Sequence, residues 1–169
     1  MERLDRHQRY MLFATTIAKA SATCLRRKFA AIIVDPELNV VISTGYNGSP
    51  RETEDCFKRG YCFRNKFNIP SGSNYEKCAS IHAEQNAIIH AGLRAKDCVI
   101  YISGVDANDN LTDCTPCFMC LKFMINAKIS KCYFHNKDGS ITIWTTEEMI
   151  KHFNEAFEGE DFNYKPYGK

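Results

Sequence analysis

At 169 residues, with 44% hydrophobic and 25% charged side chains, the chain fits one soluble globular domain with a core of its own. A formal net charge of +2 lacks the basic footprint of a polynucleotide binder. No apolar run is long enough to span a bilayer, and the opening residues lack the apolar core of a signal peptide, so a cytoplasmic protein is expected.

In chain order, Tyr10, Phe13, Ala14, Ile17 and Ala18 recur at helical spacing and predict a helix over 5–22. A basic turn, Cys24-Leu25-Arg26-Arg27-Lys28, leads into β-type runs over 29–34 and 40–44, joined as a hairpin by the turn chemistry of Asp35 and Pro36. Residues 45–77 carry little periodicity, and a structureless connection of that length needs support. Cys56 and Cys62 lie within it, Cys78 just after it, and Cys24 before the first strand. Four thiols around such a segment predict a closed, structural zinc site whose binding energy replaces the missing apolar core. Unconnected buried thiols are the alternative. Nine cysteines in all, an odd number in a reducing compartment, favour metal binding over disulfides.

Further on, a helix over 79–92 ends at Gly92, and a strand covers 98–103. A helix over 117–127, strands over 131–135 and 141–144, and a last helix over 146–157 with Thr146 as N-cap complete the pattern. The polar and aromatic tail beyond 159 is expected to be mobile or an oligomer contact. Helices alternating with short apolar strands after an opening hairpin describe an α/β chain with a mixed sheet between helix layers. It is read as one domain, 1–169, with a cysteine-bearing insertion at about 46–79.

Two motifs carry chemistry. In Cys114-Thr115-Pro116-Cys117-Phe118-Met119-Cys120, the proline suits a first helical position, because its missing N–H needs no partner there. Cys117 and Cys120, three apart, then share a helix face near its positive end, where thiolates form readily. His82-Ala83-Glu84 supplies a third ligand in His82 and a proton-transfer group in Glu84. Two sulfurs and one imidazole leave a fourth zinc position open, as in a catalytic site, where zinc lowers the pKa of water. Glu84 then takes the proton of the attacking water and returns one to a ring nitrogen as ammonia leaves. His82 and Glu84 converge only if His82 sits at the helix entrance. Cys114, before the proline, is placed off the face, and His90 and His135 are read as surface or core residues. H-x-E followed by P-C-x-x-C is the known pattern of zinc-dependent nucleobase deaminases.

With these motifs, Thr23-Cys24-Leu25-Arg26-Arg27, Gly45-Tyr46-Asn47-Gly48-Ser49-Pro50-Arg51 and Ile69-Pro70-Ser71-Gly72 make the chain resemble the deoxycytidylate (dCMP) deaminase family. The resemblance implies a three-layer α/β/α cytidine deaminase-like fold with a mixed sheet of about five strands. It implies hydrolysis of dCMP to dUMP and ammonia for thymidylate synthesis, a homo-oligomer (often a hexamer), and dCTP and dTTP as effectors. By position, Asn47 resembles the residue that meets the sugar hydroxyl, and Arg26 one that meets the 5′-phosphate. Cys24, Cys56 and Cys78 resemble ligands of a second zinc, with Cys62 as the fourth. The chain departs from the family in two places. Phe134-His135-Asn136-Lys137 stands where many members carry phosphate-side tyrosines, and Glu52 stands where a glycine is frequent. A deaminase of another nucleotide or nucleoside, and a non-catalytic zinc-containing nucleotide sensor, are the alternatives.

Overall fold

The computed structural model describes residues 3–70 and 74–158. Strand β1 (Arg27–Asp35) pairs antiparallel with β2 (Val40–Tyr46) on one side and with β3 (Val99–Asp106) on the other. β3 pairs parallel with β4 (Lys131–His135), which pairs antiparallel with β5 (Ile141–Thr145), for a sheet order β2-β1-β3-β4-β5. A parallel pair needs a crossover, and helix α5 (Phe118–Asn126) lies in the one between β3 and β4.

Both sheet faces are covered. Helix α1 (Arg6–Ser21) lays Tyr10, Met11 and Ala14 on Ile32, Val34, Val99, Tyr101 and Tyr133. The opposite face carries α4 (Ala83–Ala91), α5 and α6 (Thr146–Glu158), with Ala87, Leu121 and Met149 packed among Ala31, Ile33, Ile100, Ile102 and Phe134. Neighbouring residues of β1 and β3 therefore feed opposite cores, which is why these strands read as unbroken apolar runs. Burying each large side chain such as Phe134 contributes roughly 1.5–3 kcal/mol.

The expected elements are present, with shifts at their ends. Asp5 is the N-cap of α1: its carboxylate accepts from the Gln8 backbone at 2.8 Å, and the Gln8 side chain accepts from Asp5 N–H at 3.0 Å. α6 starts at Thr146, and it is Thr145 that exchanges hydrogen bonds with Glu148, while the Thr146 hydroxyl donates to the carbonyls of Ile129 and Ser130. The insertion holds two one-turn helices, α2 (Cys56–Arg59) and α3 (Phe63–Lys66), and a 3₁₀ turn, Tyr75–Lys77. Four-residue helices carry no readable periodicity, so the sequence reading saw only a loop there. The tail beyond 159 lies outside the described residues. Among the described residues, no helix is long and apolar enough to cross a membrane.

Candidate metal centre and catalytic site

α4 is pressed onto β2 by a missing side chain. A Cβ on Gly45 would lie 2.3 Å from both Ala83 O and Ala87 N, so only glycine lets the strand come this close. Polar contacts hold the register: the Ser43 hydroxyl donates to Ala87 O at 2.7 Å, and Asn86 Nδ2 donates to Tyr46 O at 2.8 Å. Gly48 and Ile81 exchange backbone hydrogen bonds and deliver the chain to the helix entrance. The predicted helix over 79–92 therefore starts later, at Ala83, with His82 as an extended N-cap whose N–H donates to Gln85 Oε1 at 3.2 Å. Glu84 falls in the first turn, so both side chains of the His-Ala-Glu motif reach one cavity, which both line.

α5 presents its first turn to the same place. Cys117 is its N-cap in an extended conformation, its carbonyl accepting from Leu121 N–H at 2.9 Å. Pro116 thus precedes the cap and does not open the helix, because Cys117 keeps extended dihedrals and helical geometry begins at Phe118. Cys120 is on the first turn, and both Sγ atoms lie 3.4 Å from His82 Nδ1. Among the described residues, His82, Cys117 and Cys120 form the one group of metal-type donors whose ligand atoms all lie within 4.8 Å of one another. One nitrogen and two sulfurs at this spacing fit zinc.

The electrostatics favour a cation at that point. The hydrogen bond with Cys120, aided by His82 and opposed by burial, pulls the Cys117 thiol down to about 4. Burial pushes Cys120 well above its ordinary value, and the neighbouring Cys117 sulfur adds to that. The pair thus gives up its first proton easily and its second only against burial, a resistance that a divalent ion between the sulfurs removes. Burial pulls the His82 imidazole down, but the Cys117 sulfur and Glu84 outweigh it, so protonation is favoured and a metal would take the proton's place. Glu84 is buried, and its carboxyl is pushed up by desolvation first, with His82 opposing and Cys117 reinforcing. A carboxyl moved up from its ordinary value is suited to carry a proton both ways near neutral pH.

A cavity of about 180 Å³ opens over these groups. Its wall also includes Cys24, Cys56, Cys62 and Cys78, together with Arg26 and Asn47. Burial is the main force raising Cys56, and the charges of Cys24, Cys62 and Cys78 add to it, so the four thiols stand near enough to act on one another. Burial likewise raises Cys78, with the Phe63 and Ser80 backbones opposing the rise at Cys56 and Cys78 respectively. The four are nevertheless not drawn into a set as tight as that of His82, Cys117 and Cys120. Asn47 is buried and knits β1 to the loop after β2, its Oδ1 accepting from Phe29 N–H at 2.8 Å and its Nδ2 donating to Arg27 O at 2.9 Å. One amide hydrogen and one lone pair remain for a ligand.

Cys114 lines the cavity but stays outside the donor group, its buried S–H donating to Thr112 O at 3.1 Å. His90 is exposed and bridges Thr44 O and Arg51, while His135 is half-buried and bonds the Ser103 hydroxyl. Phe134 packs in the core edge-on against Trp144, and none of Phe134, His135, Asn136 and Lys137 lines the cavity. The polar and aromatic lining residues Arg27, Arg64 and Tyr75 were given no site role by the sequence reading. Only Arg27 left a signal, as Arg26's neighbour in the basic turn. Burial, then the Cys117 sulfur, pushes the Tyr75 phenol up to about 12, so it stays protonated at neutral pH.

The family model described as "Cytidine and deoxycytidylate deaminase zinc-binding region" matches residues 4–136. The chain is 34% identical over 123 residues to the deoxycytidylate deaminase of Saccharomyces cerevisiae, covering 72% of this chain and 35% of that protein. It is 27% identical over 128 residues to that of Schizosaccharomyces pombe, covering 75% of this chain and 36% of that protein. These alignments thus span about a third of the length of either yeast relative. The fold is similar to crystal structures of the dCMP deaminase of cyanophage S-TIM5. The apo form has a TM-score of 0.58 at 19% identity, covering 91% of this chain and 94% of that one. The complex with dCMP and dUMP has a TM-score of 0.56 at 19% identity, covering 92% and 94%. The fold and the family model agree: the chain belongs to the zinc-binding cytidine and deoxycytidylate deaminase family.

Proposed function

We propose that the protein is a cytoplasmic, zinc-dependent hydrolase that converts dCMP to dUMP and ammonia, supplying dUMP for thymidylate synthesis. The observation that carries the reading is the meeting of His82 Nδ1 with the sulfurs of Cys117 and Cys120 beside the buried carboxyl of Glu84. Two relatives named deoxycytidylate deaminase direct it to the cytosine nucleotide. Zinc held by the three donors supplies a Lewis acid that activates water at neutral pH. Glu84 accepts the proton of the attacking water as its oxygen bonds to C4 of the cytosine ring. It hands that proton to N3, takes the remaining proton from the new C4 hydroxyl and delivers it to the amino group, so that the C4–N bond breaks, C4=O forms and ammonia leaves. Burial serves both steps, because a carboxyl raised by desolvation is a better proton donor at neutral pH than an exposed glutamate is.

At the cavity wall Arg26 is the phosphate ligand, with Arg27 as a second cation beside it, and Asn47 offers its remaining amide valences to the sugar. A second, structural zinc binds Cys24, Cys56, Cys62 and Cys78; these thiols share the cavity wall and stand near enough for the charges of the other three to act on Cys56. A homo-oligomer, a hexamer in the reading from the family, would cover Leu12, Phe13, Ile89 and Leu93, which are exposed on helix faces and the turn after α4. In the reading from the family, dCTP would be its activator and dTTP its inhibitor.

The test is ammonia release from a panel of cytosine, adenine and guanine nucleotides and nucleosides, with and without dCTP and dTTP. dCMP is expected to be the best substrate, and Glu84→Gln to lower turnover by about 10²–10⁴-fold while retaining zinc. Brisk turnover of a free nucleoside with none of dCMP would reject the nucleotide assignment. An active Glu84→Gln variant would reject the mechanism.

A further inference from the structure

The His82 ring turns Nδ1 to both sulfurs, which leaves Nε2 on its far side. A metal-ligating imidazole usually gives its second N–H to a carboxylate, a carbonyl or water, which fixes the ring and strengthens it as a ligand. Among the described residues, no carboxylate, hydroxyl or carbonyl oxygen hydrogen-bonds to His82 Nε2. An aromatic ring packs against the imidazole instead: Tyr75 lies with its centroid 5.1 Å away and its plane at 85° to that of His82. This edge-to-face arrangement is the one that ring quadrupoles favour.

Tyr75 is itself held from behind. It opens a single 3₁₀ turn after Asn74, whose φ of 49° places it in the left-handed region, so regular secondary structure gives it little support. The Arg64 guanidinium sits 5.6 Å from the Tyr75 ring centroid, donates to Asn74 O at 2.9 Å and also donates to Pro70 O. Arg64 is only 6% exposed. A guanidinium is costly to bury, and here two backbone carbonyls and an aromatic face offset that cost. One cation therefore holds the carbonyls of Pro70 and Asn74 and backs the ring that meets His82.

Accepting the metal-site reading above, we propose that Tyr75 is a positioning residue for the ligand imidazole of His82, with Arg64 holding Tyr75 in place. The insertion between β2 and α4 is then part of the metal centre. The choice of an aromatic neighbour has a chemical consequence. A carboxylate or carbonyl on Nε2 would push electron density through the imidazole and weaken the metal as a Lewis acid. A ring contact fixes the imidazole by packing and leaves the metal more electrophilic.

The experiment uses the full chain loaded with Co²⁺ in place of zinc, comparing wild type, Tyr75→Phe and Tyr75→Leu. Ligand-field absorption, the rate of metal loss to a chelator, and thermal stability are read in parallel. Tyr75→Phe keeps the ring and should match wild type in spectrum and in metal retention. Tyr75→Leu should shift the ligand-field bands and lose metal about tenfold faster or more, within the range seen when outer contacts of metal ligands are removed. Unchanged bands and loss rate in Tyr75→Leu would overturn the proposal, even with lowered thermal stability, because Tyr75 would then serve the fold alone. Tyr75→Phe behaving like Tyr75→Leu would also overturn it, by assigning the effect to the hydroxyl. Wild type that takes up no metal would instead overturn the metal-site reading, and this proposal with it.

Discussion

Cys117 Sγ stands 3.4 Å from His82 Nδ1, although 35 residues separate them in sequence. The two residues occupy the same position, the N-cap, on two helices packed on the same face of the sheet. An N-cap keeps extended dihedrals, so its side chain points out of the helix end. Exchanging either ligand should remove the metal without touching the proton carrier. Cys117→Ala is expected to lose the metal of this site and all turnover, whereas Glu84→Gln keeps the metal; metal analysis beside an ammonia assay separates the two.

Gly45 is the contact that sets the depth of α4. A methyl group there would meet backbone atoms of Ala83 and Ala87 at 2.3 Å, and backbone cannot swing aside as a side chain can. Gly45→Ala should therefore push α4 away from β2 at a cost of about 1–3 kcal/mol. Thermal unfolding reads the loss, and faster metal release would show that the displacement reaches His82.

Glu52 explains the glycine that many family members carry at this place. Its φ of 66° lies in the left-handed region, and Thr53 N–H donates to Pro50 O at 3.2 Å to close the turn. With positive φ at its third residue this is a type II turn, which prefers glycine. Glu52 holds this conformation against the left-handed strain. Glu52→Gly should stabilise the protein by about 0.5–1 kcal/mol, the relief of left-handed strain less the greater unfolded-state freedom of glycine. A lower melting temperature for this variant would contradict the assignment.

His135, whose carbonyl accepts from Cys114 N–H at 2.9 Å, predicts a pH effect of its own. Burial lowers its pKa from the ordinary 6.5, so the folded state binds fewer protons than the unfolded one. Stability should thus fall as pH drops below about 6.5, with the whole loss present below the folded-state pKa. Melting curves between pH 7 and 5 should fall more steeply for wild type than for His135→Gln. Equal slopes would show that the histidine titrates alike in both states.

For the cysteines of the insertion the decisive number is the metal count. Two zinc ions per chain are expected in wild type and one in Cys56→Ser, with a clear loss of stability, because the binding energy of a structural metal is folding energy. A wild-type count of one would leave the four thiols as a cluster without an ion.

Much of this protein was legible in its residues. Apolar runs bounded by turn residues located every strand and helical spacing located each long helix, because a strand buried on both faces must be apolar throughout and a helix with one buried face must write its period into the chain. The grouping of His82, Cys117 and Cys120 was legible too, since metal binding admits few residue types at few spacings. The tertiary structure alone decided the rest. The short helices of the insertion carry no period, and Tyr75 and Arg64 belong to no motif, so their place against His82 arises only where distant segments pack. Asn47, read as a ligand for sugar, turned out to spend much of its amide on the backbone of its own fold. Sequence records what each residue can do; which neighbours use that capacity is settled by close packing in three dimensions.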